Sequence, residues 1–280
     1  MLMRESVMRI GICAPSTPFT PADADKLLAL AAQHCPEAEL VFDPQCFIEK
    51  GHFAGSDTER LGAFVRLAND PAFDAIWFVR GGYGACRIAE EAVQALKAPA
   101  RSKTYLGYSD QGNLLGALYR AGIGWPCHGP MPTDVRREGG DAAVLRALNW
   151  LLHGDRKALE PHMQRGERHA AFNAVTLAMM IGTPIMPDLT HHVLMIEEVG
   201  EYDYAFDRAM FAITTAIKKS RLAGIRLGRV SAVPVNDRPF GMTSEEIAAY
   251  WCTKNGIAYL GAADIGHDID NKVVPFGVLA

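Results

Sequence analysis

No two of the six cysteines (Cys13, Cys35, Cys46, Cys86, Cys127, Cys252) form a C-x-x-C pair, and their spacing does not repeat. Zinc ribbons and disulfide frameworks are thereby excluded, and reduced, mostly buried thiols are expected. The nine histidines include no H-x-x-x-H or H-E-x-x-H arrangement, so no metal site is expected. No apolar run approaches the roughly 20 residues of a membrane span. Charges at Arg4, Glu5 and Arg9 interrupt the first fifteen residues before they can serve as an exported leader. A soluble, cytoplasmic protein with no membrane partner is expected. Basic excess is also missing: 28 Lys and Arg stand against 32 Asp and Glu, a net charge of −4, which argues against nucleic acid as a partner. Repeats and low-complexity tracts are absent, which removes solenoids.

What remains is an ordinary globular composition, 49% apolar and 21% charged over 280 residues, long enough for one large domain or two ordinary ones. The first half alternates strand-like and helix-like patterns, the signature of a parallel sheet with crossover helices. Met8 to Ala14 reads as a strand. Thr20-Pro21-Ala22-Asp23 supplies an N-cap, a proline at the first helical position and an early acid, opening a helix to about His34. Ala75 to Arg80 and Thr104 to Tyr108 read as further strands, the first running into Gly81-Gly82-Tyr83-Gly84 and the second into Ser109. A helix is expected from Asp141 to Leu152, and the charged stretch after it suggests a boundary near 155–170. Beyond it, Val193 to Ile196 reads as a buried strand and Ile225 to Val235 as β-rich. Phe206, Met210, Ile213 and Ile217 mark the buried face of a helix.

Parallel sheets place ligands beyond the carboxyl ends of their strands, where Gly81–Gly84 and Ser109 both fall. The glycine loop fits neither G-x-G-x-x-G nor the P-loop pattern, so no nucleotide cofactor is expected, although a plain tight turn or a phosphate cradle remains open. Gly107-Tyr-Ser-Asp-Gln111 lacks the last glycine of the G-x-S-x-G elbow, which argues against an ordinary α/β-hydrolase. A serine on such a turn is nonetheless placed as a nucleophile, with the Asp110 N–H beside it. His267, in Asp264-Ile-Gly-His-Asp-Ile-Asp-Asn271, is the base candidate, with His128 as competitor. His191 and His192 read as a turn before a strand, and the remaining histidines as solvated surface. Acids at the end of an apolar strand, Glu197 and Glu198, call for a partner, because a lone buried carboxylate costs several kcal/mol.

Seven segments in order make the chain similar to the LD-carboxypeptidase family of serine peptidases. They are Ile10–Ser16, Val79–Gly84, Leu106–Asp110, His128–Met131, Ile181–Pro184, Leu194–Glu201 with Phe206–Arg208, and Gly266-His267 with Asn271 and Pro275–Gly277. The resemblance implies Ser109 as nucleophile, Glu197 as orienting acid with an offset to Glu198 left open, and His267 as general base. It further implies oxyanion donors at Gly82 and Asp110. Gly81 and Tyr83 would contact substrate, with Arg80 and Arg87 as candidates for holding a terminal carboxylate. The implied fold is α/β: a flavodoxin-like or glutamine-amidotransferase-like N-terminal domain over 1–155 and a β-rich α/β domain over 165–280. The implied activity is cleavage of the meso-diaminopimelate to D-alanine bond of murein tetrapeptide, without cofactor or metal, by a homodimer. A related peptidase acting on an aminoacyl-nucleotide antibiotic is the alternative, and a non-catalytic binding protein a remoter one. Two departures stand out: Gln111-Gly112 where the family has a small or β-branched residue and Thr, and Phe172-Asn173-Ala174-Val175 where it has Gly-Asn-Leu.

Overall fold

A computed structural model of the chain describes residues 7–217 and 222–279; Arg4 and Glu5 lie outside them. Five parallel strands form the first sheet: β1 (Met8–Cys13), β2 (Ala38–Phe42), β3 (Ala75–Phe78), β4 (Thr104–Gly107) and β5 (Trp125–His128). Their spatial order, β5-β4-β3-β1-β2, is the flavodoxin-like one. All four residues of β3 are buried, as befits a central parallel strand covered on both faces. The second sheet contains β6 (Arg168–Asn173), β7 (His192–Val199), β8 (Gly224–Ser231) and β9 (Tyr259–Ala262), again parallel. Two short antiparallel strands follow. β10 (Val274–Pro275) joins the first sheet beside β5, and β11 (Gly277–Val278) joins the second beside β6.

The helices are α1 (Pro21–His34), α2 (Asp57–Asn69), α3 (Ala89–Ala95), α4 (Gly112–Ala121), α5 (Gly140–His153), α6 (Ala174–Met180), α7 (Asp203–Ala216) and α8 (Ser244–Asn255). The Thr20 side chain caps α1 by accepting from the Asp23 N–H, and Ser56 and Glu59 form a reciprocal capping box on α2. On α7, Phe206, Met210 and Ile213 are buried as their spacing predicts, while Ile217 falls just past the last turn and is only half-buried. Among the described residues, no helix is long and apolar enough to cross a membrane.

One apolar cluster runs from Phe64, Phe78 and Leu114 of the first sheet's layers to Leu177, Leu194 and Phe206 of the second's. Close approach of α4 to α6 depends on two small residues. A Cβ on Gly112 would meet Phe172 and Thr176 at 3.2 Å, and one on Gly116 would lie 2.4 Å from the Met180 methyl. The two departures from the family pattern therefore touch each other: Gly112 leaves the space that Phe172 fills.

Candidate active site

Ser109 opens a 3₁₀ turn (Ser109–Gln111) between β4 and α4. Its φ of +62° lies in the left-handed region, which a non-glycine residue occupies at a cost of about 1–3 kcal/mol. The neighbouring residues hold it there. The buried Asp110 carboxylate accepts from Ser16 Oγ at 2.5 Å, the Ala85 N–H at 2.9 Å and Asn113 Nδ2 at 3.1 Å. Burial nevertheless raises the Asp110 pKa. Gln111 Nε2 donates to Ser16 Oγ and to the Arg80 carbonyl, both at 2.8 Å. The turn is thus tied to the loops that follow β1 and β3.

The glycine loop lies against the serine. A Cβ built on Gly81 would sit 2.9 Å from both Cβ and Oγ of Ser109, so only glycine fits without displacing the hydroxyl. Gly82 has φ +105° and lines the same cavity as Ser109 and Asp110. Among the described residues, neither the Gly82 nor the Asp110 N–H has a backbone carbonyl partner. Both are therefore available to an oxyanion.

The cavity encloses about 700 Å³ and is also lined by His267, Tyr83, Asn173, Thr176 and Met180. His267 Nδ1 lies 2.6 Å from Glu197 Oε2, and the carboxylate is wholly buried. With Nδ1–H donating to the acid, Nε2 carries the lone pair that a general base needs. Glu198, next in β7, has other work: it accepts from Asn173 Nδ2 at 2.5 Å, from the Val175 N–H at 2.9 Å and from the Val199 N–H at 2.8 Å. The geometry pairs His267 with Glu197 and leaves Glu198 bracing the start of α6.

The loop that carries His267 is fastened from several sides. Arg229 of β8 reaches Asp264 at 2.6 Å and Asp268 at 2.8 Å. Arg146 of α5 donates to the carbonyls of Ile269 and Asn271. Asn271 Oδ1 accepts from the Gly266 N–H at 3.2 Å and from His128 Nε2 at 3.1 Å. Tyr108 packs against the histidine, its ring centroid 4.8 Å from that of His267 and its hydroxyl donating to Asp134.

Several sequence expectations need correction. His128, the competing base, is buried behind Tyr108 and bound to Asn271; burial depresses its pKa to about 4. It faces no cavity. Arg80 and Arg87 do not line the site: Arg80 donates to the Pro18 carbonyl, and Arg87 is held by both carboxylate oxygens of Asp57. His169 and His192 are buried rather than solvated or loop-like, the latter hydrogen-bonded to Tyr119. Five cysteines are buried as expected, but Cys86 is exposed and lines the cavity. Ile225 to Val235 stays in strand only to Ser231, where Ala232 turns left-handed at φ +51°. Among the described residues, no three His, Cys, Asp or Glu side chains are grouped to hold a metal.

Residues 10–129 match the LD-carboxypeptidase N-terminal domain and residues 170–280 its C-terminal domain. A putative carboxypeptidase of Synechocystis is 30% identical over 249 residues, spanning 85% of this chain and 79% of that protein. The murein tetrapeptide carboxypeptidase of Pseudomonas aeruginosa is 26% identical over 244 residues, spanning 82% and 78%. The muramoyltetrapeptide carboxypeptidase of Oxalobacter formigenes superposes with a TM-score of 0.78 at 20% identity, over 96% of this chain and 93% of its own. MccF in complex with glutamyl sulfamoyl guanosine gives 0.76 at 16%, over 98% and 97%. At such identities the superpositions speak to the shared two-sheet fold. With both family domains matched in order and curated relatives covered over most of their length, the chain belongs to the LD-carboxypeptidase family of peptidases.

Proposed function

We propose that the protein is a serine carboxypeptidase that hydrolyses the amide between meso-diaminopimelate and terminal D-alanine in murein tetrapeptide, in the cytoplasm, as part of cell-wall recycling. The observation that carries this reading is the buried Glu197–His267 pair facing the cavity of the left-handed Ser109. His267 Nε2 takes the hydroxyl proton as Ser109 Oγ adds to the carbonyl carbon, and the N–H groups of Gly82 and Asp110 receive the oxyanion. The imidazolium, stabilised by Glu197, passes that proton to the departing amine as the C–N bond breaks. Water, deprotonated by the same imidazole, then releases the acyl group from Ser109.

Support for the substrate comes from the relatives' names and from charge. Glu90 and Glu201 line the cavity and suit a substrate with a free ammonium group, which diaminopimelate carries. One observation favours a second substrate. Tyr83 lines the same cavity with half its surface exposed, a stacking face for the base of an aminoacyl-nucleotide amide. Mass spectrometry of products from tripeptide, tetrapeptide and pentapeptide muropeptides, with Ser109→Ala as control, decides between them. Loss of one alanine from the tetrapeptide alone supports the murein reading; an intact tetrapeptide alongside a cleaved aminoacyl sulfamoyl nucleoside supports the other. The same reading carries a homodimer, measured by light scattering.

A further inference from the structure

The peptide unit joining Gly81 to Gly82 is held by a side chain outside every motif that marks the site. Thr17, 6% exposed in the loop after β1, donates from Oγ1 to the Gly81 carbonyl at 2.7 Å. The C=O and N–H of a trans peptide point in opposite directions within one rigid plane. Fixing the Gly81 oxygen therefore fixes the direction of the N–H of Gly82, a residue that lines the cavity with Ser109.

We propose that Thr17 is a positioning residue for the oxyanion donor of this enzyme; the inference rests on the acyl-transfer reading above. Three observations support it. Thr17 itself is firmly seated, since its loop is held by the Ala54 N–H donating to the Ser16 carbonyl at 3.0 Å and by Arg60 Nη1 on the Pro15 carbonyl. Contact with the glycine is intimate as well: a Cβ on Gly82 would lie 2.6 Å from Thr17 Cγ2 and 2.9 Å from Oγ1. The preceding carbonyl, that of Arg80, is independently pinned by Gln111 Nε2, so the plane cannot relax by rotating the peptide before it. A hydroxyl donating to the carbonyl also polarises the peptide and strengthens its N–H as a donor. Thr17 does not line the cavity that holds Ser109 and acts through Gly82.

The test is saturation kinetics of labelling by an alkyl fluorophosphonate, whose addition to serine builds charge on an oxygen in the same place. Thr17→Val keeps the shape and removes the hydroxyl; Thr17→Ser keeps the hydroxyl. The maximal labelling rate of Thr17→Val is expected to fall about 10–100-fold, since removing an oxyanion donor outright costs about 10²–10³. Half-saturation should stay within about 2-fold, with Thr17→Ser close to wild type. A loss in maximal rate above about 5-fold that Thr17→Ser recovers supports the assignment. A smaller loss, or one that Thr17→Ser shares, overturns it. If Thr17→Val does not fold, Thr17→Ala and Thr17→Ser give the same comparison. Failure of wild-type protein to label above Ser109→Ala would instead overturn the acyl-transfer reading itself.

Discussion

Glu197 and Glu198 are neighbours in β7 and serve different partners: one carboxylate meets the His267 ring, the other meets Asn173 and two backbone N–H groups at the start of α6. Alternation of side chains along a strand makes this division possible, because successive residues point to opposite faces. The two acids should therefore respond differently to substitution.

Glu197→Gln removes the charge that, on the proposed mechanism, stabilises the imidazolium, while nearly preserving shape. Fluorophosphonate labelling and peptide turnover are expected to fall on the order of 10³–10⁴-fold with little change in urea midpoint. Retention of more than a tenth of wild-type activity would remove Glu197 from the mechanism.

Glu198→Ala leaves Asn173 Nδ2 and the Val175 and Val199 N–H groups without their acceptor in a buried setting. Urea unfolding should show a loss of about 2–4 kcal/mol, and labelling per folded molecule should fall much less than in Glu197→Gln. An unchanged midpoint would contradict the bracing role.

Gly81→Ala places a methyl 2.9 Å from the Ser109 hydroxyl in a backbone that tolerates alanine. The hydroxyl must move, and a displacement near 1 Å costs about 10²-fold in rate. Stopped-flow labelling reads this directly, and a near-normal rate would show that the glycine loop yields instead.

His128 carries a pH prediction. Burial lowers its folded pKa from 6.5 to about 4, so between those values the unfolded chain binds the extra proton. Its contribution is complete above pH 6.5 and is lost as pH falls toward 4, on the order of 3 kcal/mol in all. His128→Gln, which can still donate to Asn271, should flatten the fall in chemical-denaturation stability across that window. Parallel profiles for the two proteins would dismiss the buried histidine as the cause.

Much of this organisation is legible in the sequence, for physical reasons. Caps and apolar periodicity mark α1, β3 and the buried face of α7, because local chemistry decides them. The Ser109 turn and the His267 loop are legible through their motifs. Three features are not. The choice between adjacent glutamates depends on strand register and on where residue 267 returns. Thr17 belongs to no motif, since its hydroxyl matters only through a peptide 64 residues away. β10 and β11 are two-residue pairings that no periodicity can announce. The two departures from the family pattern read as separate oddities in the sequence; folding brings Gly112 against Phe172, and each explains the other.

The short strands β10 and β11 fasten residues 274–278 to both sheets, a few residues after His267. Synthesis runs from the amino end, so Ser109 and the five parallel strands around it leave the ribosome more than 130 residues before His267 and these fastenings. On the proposed mechanism a nascent chain therefore carries Ser109 without the His267 that would activate it, and hydrolysis waits until the second sheet closes against the first.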